Sequence, residues 1–246
     1  MRHLKLRTLG IVAVALIVQA CDSDTPAPMQ LEPLVTPPAP PNAVFNVTVT
    51  NLTNAQPLSP VAVIAHYPGF SLFTVGEPAT VGLEELAEGG SNGGLLAEAD
   101  ANLEAIRMIS GAAPIGPGGS ETITFEVVEG QLPRLRLSTG TMLVNTNDAI
   151  SGINGLLIED MAVGDVVTRR TIVYDAGTEA DTEQAIHIPG PAGGGEGFNA
   201  ERDDEYDRVA MHTGVVGQDD GLPASSLNNQ HRFDNPAVAF RIERVQ

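Results

Sequence analysis

Two acids four residues apart, Asp175 and Glu179, are the first candidates for chemistry in this sequence. They flank Ala176-Gly177-Thr178, and Gly177 permits a tight turn, so both carboxylates can point at one centre while a loop carbonyl fills another position. A third acid, Asp148, closes the oxygen-bearing run Asn145-Thr146-Asn147 at the end of an expected strand. Calcium suits such a set, because it takes about six to eight oxygens, several from carboxylates, on loops that fold around a large ion. The same residues have a plainer use: Asp148 as an Asx turn, and Asp175 to Glu179 as a solvated hairpin tip. Residue types alone leave both open.

Four histidines lie beyond the first twenty residues: His66, His187, His212 and His231. Catalytic zinc commonly uses three protein ligands and an open position, so His66, His212 and His231 are a conceivable hydrolytic set. No pair has the His-x-x-x-His spacing that places two imidazoles on one helix face, and hydrogen-bonded structural histidines are the competing reading. The chain has no Gly-x-Ser-x-Gly nucleophile turn, and Gly193-Gly194-Gly195 is not followed by Gly-Lys-Ser/Thr. The expectation is a non-catalytic protein. Residues 196–207 hold six acids with Arg202 as the only base. A solvated loop is the usual meaning of such a run, and a second cation site is the minority one.

These residues need elements to hold them, and the pattern supplies strands. Phe45, Val47 and Val49 alternate with Asn46, Thr48 and Thr50; Ile123, Phe125 and Val127 alternate with Thr122, Thr124 and Glu126. Alternation marks a strand with one buried face. Segment 61–67 is a short apolar run bounded by Pro60 and Pro68-Gly69. Segments 142–144, 166–174, 209–216 and 238–242 bring the set to seven or eight strands, separated by turns such as Asn154-Gly155 and Pro189-Gly190-Pro191. Two stretches, 81–87 and 95–108, have helical spacing, the second with Leu95, Leu96, Ala99, Leu103 and Ile106 along one stripe. The fold class that follows is all-β: an antiparallel β-sandwich of about eight strands with a short helical excursion between early strands. A parallel α/β fold is disfavoured because helices do not recur between strands.

Charge narrows the partners. The 246 residues carry 13 basic and 31 acidic side chains, and Arg2, Lys5 and Arg7 all lie in the first seven positions. Without those three the balance is −21, a surface that repels nucleic acid and disfavours anionic lipid unless a cation bridges the two. The basic start and the apolar run from Leu9 to Val18 have the layout of a secretory signal over residues 1–20. Val18-Gln19-Ala20-Cys21 resembles the lipobox of bacterial lipoproteins, in which the cysteine is lipidated, and Cys21 is the only cysteine in the chain. Gln19 departs from the small or aliphatic residue usual there. Residues 21–42 hold seven prolines and read as an extended linker, which leaves 43–246 as one domain.

Longer motifs add a family. Phe45-Asn-Val-Thr-Val-Thr-Asn-Leu-Thr53, Ala65-His66-Tyr-Pro-Gly69, Met142-Leu-Val-Asn-Thr-Asn-Asp-Ala149, Tyr174-Asp-Ala-Gly-Thr-Glu179 and Asn235-Pro-Ala-Val238 resemble, in that order, segments of spondin domains in bacterial proteins. The resemblance implies a β-sandwich similar to calcium-dependent lipid-binding domains, with a calcium ion at one end and no catalytic activity. It matches the family's metal-binding acids to Asp148, Asp175 and Glu179. Glu179 stands where many animal members have aspartate, one methylene longer with the same donor. The function implied is an exported, lipid-anchored, calcium-binding adhesion module of the cell envelope, with an extracytoplasmic protein or glycan as ligand. A calcium-dependent membrane-surface module is the first alternative, and the His-based metallohydrolase the second.

Overall fold

The computed structural model describes residues 41–202 and 206–246. The expected signal, Cys21 and all of the 21–42 linker except its last two residues lie outside the described residues.

Two antiparallel sheets build the domain. The first contains β1 (Asn42–Asn51), β4 (Ser120–Val128), β8 (Val166–Thr171) and β11 (Val238–Arg244), in the order β4-β1-β11-β8. The second runs β10 (Ala210–Met211), β9 (Val173–Asp175), β6 (Ala149–Ser151), β5 (Arg136–Met142), β2 (Ala62–His66) and β3 (Ala105–Ser110), with β7 (Leu156–Leu157) paired to β5. The fold is an all-β sandwich, and two short helices, α1 (Val81–Gly89) and α2 (Gly93–Asp100), form the excursion between β2 and β3.

Between the sheets, Phe45, Val47 and Val49 of β1 meet Ile123, Phe125 and Val127 of β4 and Phe240 and Ile242 of β11, all buried. The Phe45 and Phe125 rings stack with centroids 5.1 Å apart. Burying each such side chain is worth ~1.5–3 kcal/mol over leaving it exposed. The alternate residues face out, where the Thr48 and Thr122 hydroxyls share a hydrogen bond of 2.8 Å. A second core lies on the outer face of the larger sheet, where Leu83, Leu86, Leu95 and Ala99 of the helices cover Ala62, Ile64 and Ile150. Covered on both faces, β2 is buried at all five residues, which is why it reads as a continuous apolar run rather than an alternating one. The Thr80 hydroxyl caps α1 by accepting from Leu83 N at 3.2 Å.

Several expected boundaries move. The 95–108 stretch is helical only to Asp100; Ala105–Ser110 is a strand paired to β2, and Leu103, counted on the helical stripe, is fully exposed between them. Segment 166–174 divides at Ile172, with β8 in one sheet and β9 in the other. The strand expected at 142–144 instead occupies Arg136–Met142, and 209–216 shrinks to Ala210–Met211.

The two ends of β1 have different neighbours. Val44 N donates to Gln246 O at 3.0 Å and Val245 N to Val44 O at 2.8 Å, so the domain begins and finishes at one place. At the far end Asn51 Nδ2 donates to Gln56 O, and Gln56 Nε2 donates to Asn145 O at 3.1 Å. That far end carries the 145–148 run.

Candidate metal centre

Strand register brings the first two acids together. Ala149 of β6 pairs with Asp175 of β9, which pairs in turn with Ala210 of β10. Asp148, one residue before β6, therefore sits beside the chain leaving β9, and Ala176 N donates to Asp148 O at 3.3 Å. The loop after β9 then wraps around the Asp148 side chain. Oδ2 accepts from Thr178 N at 2.8 Å, from Thr178 Oγ1 at 3.3 Å and from Glu179 N at 3.2 Å. Gly177 makes the wrap possible. Its φ of +70° is in the left-handed region, and a Cβ there would run into the backbone of Arg208. Asp175 Oδ1 holds the same turn by accepting from Gly177 N at 2.7 Å.

The acids that converge are Asp148, Asp175 and Asp181. One carboxylate oxygen from each lies within 4.8 Å of the others, with Asp148 buried, Asp175 half-buried and Asp181 exposed. Oxygens on opposite sides of a calcium ion, each about 2.4 Å from it, are about 4.8 Å apart, so the spacing fits one coordination sphere. Glu179 is not in this group. Its amide is turned to Asp148, and the residue lines a separate small cavity with Glu88 and His187. Asp181, two residues on, is the third member of the group.

Two observations test whether these residues suit a cation. Asp148 is fully buried, yet its Oδ1 has no hydrogen-bond partner while Oδ2 has three. A buried charged oxygen left so costs several kcal/mol unless a cation or a proton meets it. Burial, then the charges of Asp175 and Asp181, push the Asp148 carboxyl well above the usual carboxylate range, against the pull of the Thr178 and Glu179 amides. A divalent cation relieves both causes at once.

His212 completes the surroundings. It is buried, and its Nε2 stands 3.8 Å from Asp181 Oδ1. Gly214 N donates to His212 Nδ1 at 2.9 Å, so Nδ1 carries no proton and Nε2 carries one. Nε2 is thus a donor aimed toward the acids rather than a ligand lone pair, which leaves an all-oxygen set. Burial lowers the His212 pKa, with the Asp175 charge opposing, so the ring is neutral at neutral pH.

The rest of the oxygen-bearing run is scaffolding. Asn145 Nδ2 donates to Ala55 O at 2.8 Å, and Asn145 Oδ1 accepts from Ala192 N at 2.9 Å. Asn147 Oδ1 accepts from Glu183 N at 3.2 Å. Buried Glu183 in turn accepts from Val216 N at 2.9 Å, and burial pushes its carboxyl up to about 7.

The three histidines of the hydrolytic set do not meet. His66 lies at the β2 end paired with Arg136, with Nδ1 donating to Tyr67 O and Nε2 accepting from Ser138 Oγ, both at 2.8 Å. His231 Nδ1 accepts from Asn228 N at 3.1 Å. Among the described residues, the only group of three or more metal-ligating side chains that converges is the aspartate group.

No protein-family model matches the chain, and no characterised protein matches it in sequence.

Proposed function

We propose that this chain is an exported, lipid-anchored calcium-binding module of the cell envelope, non-catalytic, which uses its calcium-bearing end to engage an extracytoplasmic protein or glycan. The half-satisfied Asp148 carboxylate carries the calcium reading: three donors on one oxygen, none on the other, and two more aspartates within one ion's reach. Support for the adhesion role comes from the spondin-like motifs, and for the anchor from the signal-like start and the lone Cys21.

The ligand set in this reading is Asp148, Asp175 and Asp181. His212 Nε2 stands ready to donate to Asp181 or to a water on the ion. Calcium supplies positive charge where three carboxylates crowd, and so locks the loop after β9 to the 145–148 run. The deciding measurement is a thermal melt of the mature domain in calcium and in chelator, paired with calorimetric titration. Calcium at a hundred times its dissociation constant should add about 2.7 kcal/mol of stability. Identical melts in both conditions would remove the calcium reading. Sedimentation with anionic vesicles separates the alternatives: calcium-dependent pelleting favours the membrane-surface module over the protein or glycan binder. For the anchor, Cys21→Ser should move the protein from the membrane to the soluble fraction.

A further inference from the structure

At the end of β5 away from the aspartates, Arg136 borders an open hollow of about 270 Å³, walled otherwise by Asn154, Gly155 and the 68–71 segment. Arg136 is half-buried, and among the described residues it has no carboxylate within salt-bridge reach. Its Nη1 donates to Gly155 O at 2.8 Å; its Nε is shut from solvent with no acceptor. Arg134, Arg169 and Arg170 are exposed, so water serves their charge; Arg136 has less of that help. The remaining N–H groups on Nη1 and Nη2 are the donors that a carboxylate takes in pairs.

The frame around the guanidinium is fixed in advance. Asn154 clamps the segment after Phe70, accepting from Leu72 N at 3.0 Å and donating to Phe73 O at 2.7 Å. Gly155 N donates to Ser138 Oγ at 2.9 Å, and the same hydroxyl meets His66, whose ring stands edge-on to Phe70 with centroids 4.9 Å apart. The carbonyls of Pro68, Gly69 and Phe70 accept no hydrogen bond among the described residues, which leaves acceptors for hydroxyl groups. Ligand pockets usually run ~300–1,000 Å³, so this space takes about one ring.

We propose that this hollow binds an acidic sugar: a uronate unit whose carboxylate pairs with Arg136, whose hydroxyls donate to the 68–70 carbonyls, and whose ring lies beside Phe70. Peptides commonly add to a free strand edge, and β5 offers none here, because His66 pairs with Arg136 on one side and Leu157 on the other. The acidic surface repels an anion from afar, but that field is screened beyond ~8 Å in physiological salt, whereas the Arg136 pair forms at contact. The site needs no ion and is independent of the calcium reading.

Titration of the mature chain in chelator, by calorimetry and by NMR, with glucuronate, glucose, acetate and N-acetylalanine tests the proposal. Glucuronate should bind at least tenfold more tightly than glucose, shift the ring signals of His66 and Phe70, and bind equally well to Asp148→Asn. Arg136→Gln should lose the tenfold preference. Arg136→Lys, which keeps the charge without the planar fork, serves if the glutamine variant does not fold, and should weaken glucuronate at least threefold. No preference over glucose in wild type, or a preference untouched by either Arg136 variant, overturns the site. Binding lost in Asp148→Asn and kept in Arg136→Gln places the sugar at the metal centre, and this site falls. Acetate or N-acetylalanine binding as tightly as glucuronate means that any carboxylate suffices, and the sugar assignment fails.

Discussion

His66, in β2, and Asp148, just before β6, are both fully buried near opposite ends of β5, and their bonding differs in kind. Both nitrogens of the His66 ring are partnered, one by a carbonyl and one by a hydroxyl. Asp148 puts all three of its donors on Oδ2 and leaves Oδ1 bare. A buried polar group that the fold satisfies by itself belongs to the scaffold. One that the fold satisfies halfway is a place where something else completes the structure.

The comparison can be broken most visibly at Asp148. Asp148→Ala leaves three donors without an acceptor and should cost on the order of 3 kcal/mol in chelator. Asp148→Asn keeps an acceptor for those donors and turns an amide toward Asp175 and Asp181. Its melting temperature in chelator should therefore equal or exceed that of wild type, while the gain from calcium disappears. An asparagine variant that still gains from calcium would move the ion elsewhere.

At His66 the expected cost is about 2 kcal/mol for His66→Gln, and it should be the same with and without calcium. Its pH dependence sharpens the contrast. Burial, with the Arg136 charge assisting and the Tyr67 carbonyl opposing, holds His66 below its ordinary value of 6.5. The unfolded chain then takes up the proton first, so this contribution is full above 6.5 and is lost as pH falls from there toward the lowered folded value. The stability gap between wild type and His66→Gln should narrow from about pH 7.5 to about pH 5.5, followed by denaturant titration. A gap that widens on acidification would mean the ring is charged in the fold.

The smallest effect belongs to the outer face of the four-stranded sheet. Thr48→Val, which removes the exposed hydroxyl pair with Thr122, should change stability by less than ~1 kcal/mol and leave the calcium response intact. A larger loss would show that face to be covered in the working protein.

How much of this could be read from residues depended on how local the cause was. β1 and β4 were legible because each buries one face, and β2 because it buries both. The 95–108 stretch misleads because Leu95, Leu96 and Ala99 are helical, and the strand that follows continues the apolar period by chance across exposed Leu103. Asp148 and Asp175 could be read because they lie at strand ends that register makes neighbours. Asp181 could not. Which acid of that loop comes near Asp148 depends on how the loop folds around it, with the Thr178 and Glu179 amides bonded to a side chain thirty residues away, and that contact leaves no local mark in the sequence.

Where β1 starts also gives the domain a direction. The chain enters at Asn42, beside its own last residue, and the aspartates lie beyond the other end of a ten-residue strand, ~33 Å long by the usual rise. A fusion joined at either end of the domain would therefore sit about a strand's length from the aspartates and leave them clear.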